Sequence, residues 1–247
     1  MSTPRTLINA GYQIPLFTYP GATGADLFDR VAEQARAAEE SGFDSVWVMD
    51  HFWQLPMLGD PELEMLEGYT TLGALAMVTE RVRLGTLVTG VTYRNPAMLA
   101  KIVTTLDVAS KGRAILGIGA AWFEPEHVGL GFDFPPLKVR FEMLEEALGI
   151  TRAMFRGENP TFEGRHYRVQ GALNSPAPVQ EGGPPIMVGG SGEKKTLPLG
   201  ARLADAINLS AGLSELPRKM EVIDSSLAEA GRSRDDLNVS WLCTLVL

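Results

Sequence analysis

The sequence has few of the features that would tie it to an oxidising compartment or a membrane. Cys243 is the only cysteine among 247 residues, which excludes an intramolecular disulfide and favours a reducing compartment. No run approaches the roughly 20 apolar residues of a membrane-spanning helix, and the start of the chain lacks the pattern of a secretion signal. These absences predict a cytoplasmic protein that contains no membrane segment.

Positive charge and histidine are also scarce. The 22 Lys and Arg residues and 30 Asp and Glu residues give a formal net charge of -8, and no block of like charge stands out. Proteins that bind a phosphate backbone need a basic surface, so the charge argues against a nucleic-acid partner and leaves a small molecule. Because only three histidines are present, the position of each one is informative.

What the sequence does contain is a regular alternation of short apolar runs with longer segments of helical period. Such alternation is typical of βα units and a parallel sheet. It predicts an α/β fold, a (β/α)8 barrel of the TIM type, in one domain over residues 1–247. Seven strands can be identified, so we expect a barrel shortened at its C-terminus. They are residues 6–10, DSVWVMD, VRLGTLV, RAILGIG, PIMVGG, AINLS and residues 239–247.

Helix boundaries are marked by capping residues. Asn95 followed by Pro96 is a good helix start, while Gly42 and the pair Lys111-Gly112 are typical of helix ends. The predicted helices span about residues 25–41, 69–79, 95–111, 137–155, 193–203 and 215–230. The small residues of the second helix, Gly73, Ala74 and Ala76, would let another helix approach closely.

The alternation is interrupted between the fourth helix and the fifth strand. Residues 157–185 form a long stretch rich in Gly and Pro, and loops of this length are uncommon in compact domains unless they carry function. Within it, PTFEGRHYRVQ predicts a short hairpin around Glu163-Gly164. We expect this insert to fold over one end of the barrel as a lid.

Residues that follow the strands are the candidates for chemistry, because parallel barrels carry their active sites at the C-terminal ends of the strands. His51 and Trp53 follow the second strand in the segment DHFW. Histidine suits proton transfer because its unperturbed pKa lies near neutrality, so His51 is the candidate catalytic residue. The alternative is a structural histidine that caps the next turn.

A glycine-rich turn follows the fifth strand. Gly189, Gly190 and Ser191 precede a predicted helix, and backbone N–H groups at a helix start can bind an anion such as phosphate. The spacing matches neither a Walker loop nor a dinucleotide fingerprint. An ordinary tight turn between strand and helix explains the glycines equally well.

Small and aromatic residues follow the third and fourth strands. Gly85 and Gly90 bracket an apolar run that could place bare backbone against a flat ring. After the fourth strand, Ala120 and Ala121 leave space that Trp122 and Phe123 could wall. Ordinary barrel packing is the alternative for both segments, because small residues are needed wherever large ones oppose them.

A metal site is a competing interpretation of Glu124, Glu126 and His127. Their spacing matches no HExxH-type helix, and Pro125 interrupts a helical face, so we expect no metal. No GxSxG elbow and no cysteine motif supports nucleophilic catalysis.

Four segments in order resemble the successive signatures of the luciferase-like oxidoreductases, in particular the members that use the deazaflavin coenzyme F420. The resemblance covers nearly the whole chain, and four ordered motifs are more specific than any one. The segments are GFDSVWVMDHFW, RVRLGTLVTGVTYRNPAMLAK, ASKGRAILGIGAAWFEPEH and PPIMVGGSGEKKTLPLGARLADAIN.

The resemblance implies a cofactor site in the barrel mouth. A non-prolyl cis peptide, Leu87-Val88 by position, would support the ring, and His51 would lie beside its reactive carbon. Trp122 stands where related sugar-phosphate dehydrogenases carry a glutamate, which argues against that substrate. The implied cofactor-binding residues are His51, Leu87, Val88, Ala120, Ala121, Gly189, Gly190 and Ser191, and the implied substrate-pocket residues are Trp53, Trp122 and Phe123.

Hydride transfer between coenzyme F420 and a small organic substrate is therefore the predicted activity. An FMN-dependent luciferase-like monooxygenase is the alternative within the same fold, since both rings would share the pocket. A flavin or deazaflavin binding protein without catalysis is the alternative from another class. The family also pairs through barrel helices, so we expect a homodimer.

Overall fold

A curled parallel sheet with helices along its outer side forms the protein. The structure is a computed structural model and describes residues 9–244. The strands are β1 (Gly11–Ile14), β2 (Ser45–Val48), β3 (Arg83–Thr86), β4 (Thr89–Gly90), β5 (Ala114–Gly119), β6 (Phe162–Glu163), β7 (Arg168–Val169), β8 (Ile186–Gly189), β9 (Ala206–Leu209) and β10 (Asn238–Trp241). The helices are α1 (Leu27–Glu40), α2 (Gly68–Val78), α3 (Pro96–Ala109), α4 (Glu124–Leu130), α5 (Leu137–Phe155), α6 (Thr196–Leu203) and α7 (Leu216–Glu229).

The sheet has seven strand positions, as the sequence predicted. Its order is β1-β2-β3-β5-β8-β9-β10, and all neighbours are parallel. β4 also pairs with β5, so β3 and β4 are two parts of one strand that Leu87 and Val88 interrupt. The described pairings leave β1 and β10 as the two edges of a curled half-barrel. The predicted parallel barrel architecture is confirmed, with seven strand positions among residues 9–244.

Helices α1 and α3 end or begin at the capping residues that the sequence predicted. α1 buries Val31, Ala35 and Ala38 in the main core, and Gly42 with a φ of 86° follows its end. Asn95 accepts a hydrogen bond from the Ala97 N–H and so caps α3. Within residues 9–244, no helix is both long enough and apolar enough to cross a bilayer.

Two strand predictions at the ends of the chain need correction. The first strand is Gly11–Ile14 and not residues 6–10, of which residues 6–8 lie outside the described part. Its register is set before Gly11, where Ala10 N–H donates to Asp44 Oδ2 at 2.9 Å. The last strand ends at Trp241, residues 242–244 are not extended in the sheet, and residues 245–247 are outside the described range. Cys243 is exposed.

Helix α4 was not predicted, because Pro125 was interpreted as a helix breaker. Proline is tolerated in the first turn of a helix, where its missing N–H has no intrahelical partner to lose. Pro125 occupies this first turn, and the left-handed Gly131 ends the helix. α6 is also shorter than predicted, since it begins at Thr196 and not at Glu193.

The insert lies between α5 and β8, and it contains the predicted hairpin in β6 and β7. Glu146 of α5 accepts hydrogen bonds from three backbone N–H groups of the hairpin turn, those of residues 165–167. Asn174 then contacts Thr104 and Met154, between α3 and α5. The insert therefore packs along the outer helices α3 and α5. The expected lid is limited to the hairpin, where Tyr167 donates to the Val91 carbonyl at 3.2 Å.

Candidate active site

His51 lies directly after β2, at the end of the sheet where the strands terminate. Its Nδ1 is 2.9 Å from Oε2 of Glu126, a residue of α4. An ionised carboxylate only accepts hydrogen bonds, so Nδ1 carries the hydrogen. Nε2 has no hydrogen-bond partner within residues 9–244, and the side chain is 11% exposed. His51 therefore presents an unpaired nitrogen while its other nitrogen is held.

Glu126 is fully buried and accepts hydrogen bonds from four groups. Besides His51, Oε1 accepts from the backbone N–H groups of Phe52 at 2.6 Å and Trp53 at 3.0 Å, and Oε2 accepts from the Tyr93 hydroxyl at 2.7 Å. Burial acts to raise the pKa of Glu126, but the hydrogen bonds from His51, Tyr93 and Trp53 outweigh it and hold the pKa below its ordinary value. The carboxylate is thus ionised at neutral pH.

A second charged pair, Asp50 with Arg94, fixes the loop that carries His51. Asp50 is buried and receives two hydrogen bonds from Arg94, from Nη1 at 2.6 Å and from Nη2 at 3.0 Å. The Nη2 group of Arg94 also donates to Glu67 at 2.6 Å, and the guanidinium lies 4.7 Å from the centre of the Tyr69 ring. Planar bidentate pairs of this kind fix orientation, so the residue before His51 is firmly positioned.

The break between β3 and β4 contains the expected cis peptide at Leu87-Val88. Hydroxyl groups connect its two flanks: Thr86 and Thr89 are 2.8 Å apart, and Tyr69 is 2.6 Å from Thr89. These three side chains are buried, whereas Leu87 and Val88 are partly exposed. The Leu87-Val88 bulge is therefore partly exposed, while the buried hydroxyl groups of Tyr69, Thr86 and Thr89 hold its flanks.

Glycines on neighbouring strands make room for the Val88 side chain. A Cβ at Gly189 would lie 2.7 Å from Val88, and one at Gly119 would lie 3.1 Å from it. A Cβ at Gly117 would collide with the Thr86 carbonyl. Gly117, Gly119 and Gly189, at the ends of the fourth and fifth predicted strands, are thus required by the bulge itself, whatever ligand the mouth binds.

The loop after β5 forms an aromatic wall beside His51. Ala120 and Ala121 are half-buried, and Ala121 has a φ of 59°, which turns the chain towards α4. The centres of the Trp122 and His51 rings are 5.8 Å apart at an interplanar angle of 74°, and Phe123 is 5.9 Å from His51. The expected pocket residues Trp122 and Phe123 therefore do lie together with the histidine.

Trp53 packs against α4. Its ring is in direct contact with Gly129, where a Cβ would collide with the indole. Its backbone N–H is one of the four donors to Glu126. Trp53 thus belongs to the same cluster, and its indole packs against the helix that carries Glu126.

In the turn after β8, some backbone N–H groups have a hydrogen-bond acceptor and others do not. Gly190 N–H donates to the Asn208 carbonyl at 2.9 Å. The Ser191 hydroxyl donates to the Ser210 carbonyl and accepts from the Ser210 N–H. In the part of the chain that the structure describes, the N–H groups of Ser191, Gly192 and Glu193 have no acceptor. Three successive free donors before α6 keep the anion-cradle interpretation open.

The residues of the competing metal hypothesis point to different partners. His127 is fully buried, and its ring nitrogens contact Thr92 Oγ1 at 2.6 Å and the Phe123 carbonyl at 2.9 Å. Glu126 faces His51 and Tyr93, and Glu124 is exposed. Among residues 9–244, no group of three or more acidic, histidine or cysteine side chains has the arrangement of a metal site.

Comparison with known proteins decides the family. The sequence profile of the luciferase-like monooxygenases matches residues 12–247, nearly the whole chain. This chain belongs to that family.

The relatives of this family member include F420-dependent glucose-6-phosphate dehydrogenases and methylenetetrahydromethanopterin reductases. It is 37% identical over 205 residues to the F420-dependent glucose-6-phosphate dehydrogenase of Microbacterium testaceum (strain StLB037), covering 81% of this chain and 59% of the relative. It is 33% identical over 205 residues to the 5,10-methylenetetrahydromethanopterin reductase of Archaeoglobus fulgidus, covering 81% and 55%. The family member thus spans somewhat over half the length of these curated relatives.

Solved structures have the same fold. An F420-dependent secondary alcohol dehydrogenase in complex with an F420-acetone adduct superimposes with a TM-score of 0.82 at 26% identity, covering 94% of this chain and 68% of that one. The coenzyme F420 dependent tetrahydromethanopterin reductase of Methanopyrus kandleri superimposes with a TM-score of 0.79. At 20% identity the second likeness concerns the fold alone.

A first prediction concerns the room behind the bulge. In Gly189→Ala the new methyl group meets Val88, so the Leu87-Val88 bulge must move. A displaced backbone loses its fit to a flat ring. We therefore expect F420 to bind at least about fivefold more weakly. Gly149→Ala on the exposed side of α5, where a Cβ meets nothing within 4 Å, is the control. Fluorescence titration measures both affinities, and equal affinity for all three proteins would contradict the assignment.

Proposed function

We propose that this protein transfers a hydride between coenzyme F420 and a small organic substrate. The observation that carries the proposal is a histidine after β2 that is held by a buried carboxylate, together with the Leu87-Val88 bulge after the neighbouring strand β3. The F420-dependent relatives at 37% identity support the choice of coenzyme. Since the chain spans only part of those relatives, their substrates do not carry over with it.

The residues present fit a flat ring with a phosphorylated tail. His51, Leu87, Val88, Ala120, Ala121, Gly189, Gly190 and Ser191 are all partly exposed at the strand ends. Most of them are small or present backbone, which allows the close approach that a ring needs. The free N–H groups of Ser191 and Gly192 would bind an anionic group. When bound, the deazaflavin supplies the redox chemistry, while the protein orients and shields it.

His51 is the catalytic residue in this proposal. Its Nε2 is the unpaired nitrogen at the mouth, so it can accept a proton from a substrate hydroxyl, or return one to a carbonyl in the reverse direction. Glu126 holds the imidazole by Nδ1 and stabilises the imidazolium that forms when Nε2 takes the proton.

Parallel titrations with F420 and FMN test the choice of coenzyme. We expect F420 to bind at least tenfold more tightly, a difference of about 1.4 kcal/mol. Fluorescence of the purified protein during each titration measures both affinities. Equal or reversed affinities would move the chain to the FMN-dependent monooxygenase alternative. Tight F420 binding without turnover of any substrate would support the non-catalytic alternative.

The proposal also includes the oligomeric state, the domain organisation and the cellular location of the protein. We propose a homodimer, one domain over residues 1–247 with the insert at 157–185, and a cytoplasmic location. Two of the three small residues of α2 support the dimer, since Gly73 and Ala74 are partly exposed. Ala76 does not, because it is 5% exposed and packs in the main core. Met77, 74% exposed on the same helix, is available for such a contact.

A further inference from the structure

The charged groups around His51 are occupied by one another. Arg94 is paired with Asp50 and Glu67, and Glu126 accepts from four donors. The Tyr93 hydroxyl also belongs to this network. A phosphate or carboxylate on the substrate could use Arg94 as its counter-charge only by breaking the buried pair of Arg94 with Asp50, and such pairs are costly to break.

Trp122 lies beside this network, and its side chain is exposed. It stands beside His51 and Phe123, yet its side chain is 54% exposed, unlike the buried Phe123. Tryptophan presents a large apolar surface, and a ligand that packs on the Trp122 indole removes that surface from water. The position is at the mouth and not on the outer helices, so a small molecule can reach it.

In the described part of the chain, two of the four tryptophans leave their indole N–H groups unused. Trp47 donates to Ser45 Oγ at 2.8 Å, and Trp241 donates to the Ala211 carbonyl at 2.9 Å. Within the described residues, Trp53 and Trp122 have no acceptor for their indole N–H groups, and neither nitrogen is among the buried unpaired atoms. A tryptophan N–H normally finds a partner when it is covered. A ligand with a neutral hydrogen-bond acceptor would supply one.

We infer that Trp122 selects a neutral, largely apolar substrate that carries a carbonyl or hydroxyl group and lies with its flat face against the indole. This inference rests on the proposed function, since it names the substrate class of the same site. It separates this chain from enzymes that act on phosphorylated sugars. Trp122 acts by binding, so its replacement affects substrate affinity more than the chemical step.

Ligand-observed NMR titrations with two probes test the inference. The probes are 2-cyclohexen-1-one and glucose 6-phosphate, each added to the protein with and without oxidised F420. The variants are Trp122→Ala, Trp122→Phe and, as control, Leu173→Ala on the insert, where a large apolar side chain is 73% exposed. Because Trp122 and Leu173 are exposed, the variants should fold, which thermal unfolding checks.

We expect Trp122→Ala to bind the enone at least about fivefold more weakly, while Trp122→Phe stays within about twofold because it keeps an aromatic face. Leu173→Ala should match the wild type, and glucose 6-phosphate should not displace the enone. Unchanged enone binding in Trp122→Ala, or tighter binding of the sugar phosphate, would overturn the inference. Loss of F420 binding in Trp122→Ala with unchanged enone binding would assign the indole to the coenzyme and overturn it too.

The same titrations separate this inference from the proposed function. If the wild type binds no F420 at all, the proposed function fails, but the enone titration without coenzyme still decides whether Trp122 forms an apolar substrate site.

Discussion

Replacing His51 by alanine should slow single-turnover hydride transfer at saturating coenzyme by at least about tenfold, because removing a general acid-base group typically costs about 10² to 10⁴ in rate. The imidazole is the group at the mouth with an unpaired nitrogen and a fixed orientation. Saturation with coenzyme removes any effect of weaker binding, so the remaining loss belongs to the chemical step. Stopped-flow absorbance of the deazaflavin measures it.

His166→Ala is the matched control for this experiment. His166 also pairs with a glutamate, with Nε2 at 2.9 Å from Glu142 Oε2, but the pair joins the hairpin to α5, outside the mouth. The variant should transfer hydride at the wild-type rate. His127 is not a suitable control, since it is fully buried and its loss would disturb α4. If His51→Ala reaches the wild-type rate once saturated, only a structural or binding role remains for His51.

Much of the fold follows from local patterns. Strands β2, β5, β8 and β9 and helix α5 lie where apolar periodicity and the flanking glycines predicted them. The rule that parallel strands end at one edge then brought His51, Trp122 and Gly189 to one mouth without any long-range information. Local sequence was sufficient here because each of these residues lies at, or within a few residues of, the end of its own strand.

The support of the site could not be predicted in the same way. His51 and Glu126 are 75 residues apart in the chain, and the pairs Asp50–Arg94 and Tyr69–Thr89 also join different βα units. Such contacts depend on how neighbouring units are aligned, which periodicity does not encode. The signal that was available was Pro125, a residue favoured in the first turn of a helix. Interpreting it as a helix start would have placed Glu126 on a helix at the mouth.

Glu126 determines which nitrogen of His51 is free. The carboxylate accepts from Nδ1–H, so Nε2 is the ring nitrogen that can exchange a proton at the mouth. The pKa of Glu126 is lowered chiefly by hydrogen bonds from His51 and Tyr93, which outweigh burial. The contribution of this ionised group is therefore present at neutral pH, and it is lost only as the pH falls through that lowered folded-state pKa.

Glu126→Gln should reverse the arrangement at His51. The amide oxygen can still accept from the N–H groups of Phe52 and Trp53, which turns the amide NH₂ towards His51 and Tyr93. An NH₂ group donates, so Nδ1 must become the acceptor and Nε2 must carry the hydrogen. We expect hydride transfer to fall about 10- to 100-fold, the loss typical of removing an orienting carboxylate.

The tautomer itself is the measurement that separates positioning from plain destabilisation. ¹⁵N chemical shifts of the His51 ring should exchange between Nδ1 and Nε2 in Glu126→Gln, and they should not move in Glu142→Gln, where the changed pair is the one with His166. Thermal unfolding of both variants reports any loss of stability. A slower Glu126→Gln enzyme with unchanged His51 shifts would mean that Glu126 only supports the loop through Phe52 and Trp53. Exchanged shifts together with a slower rate would tie the activity to the nitrogen of His51 that faces the mouth.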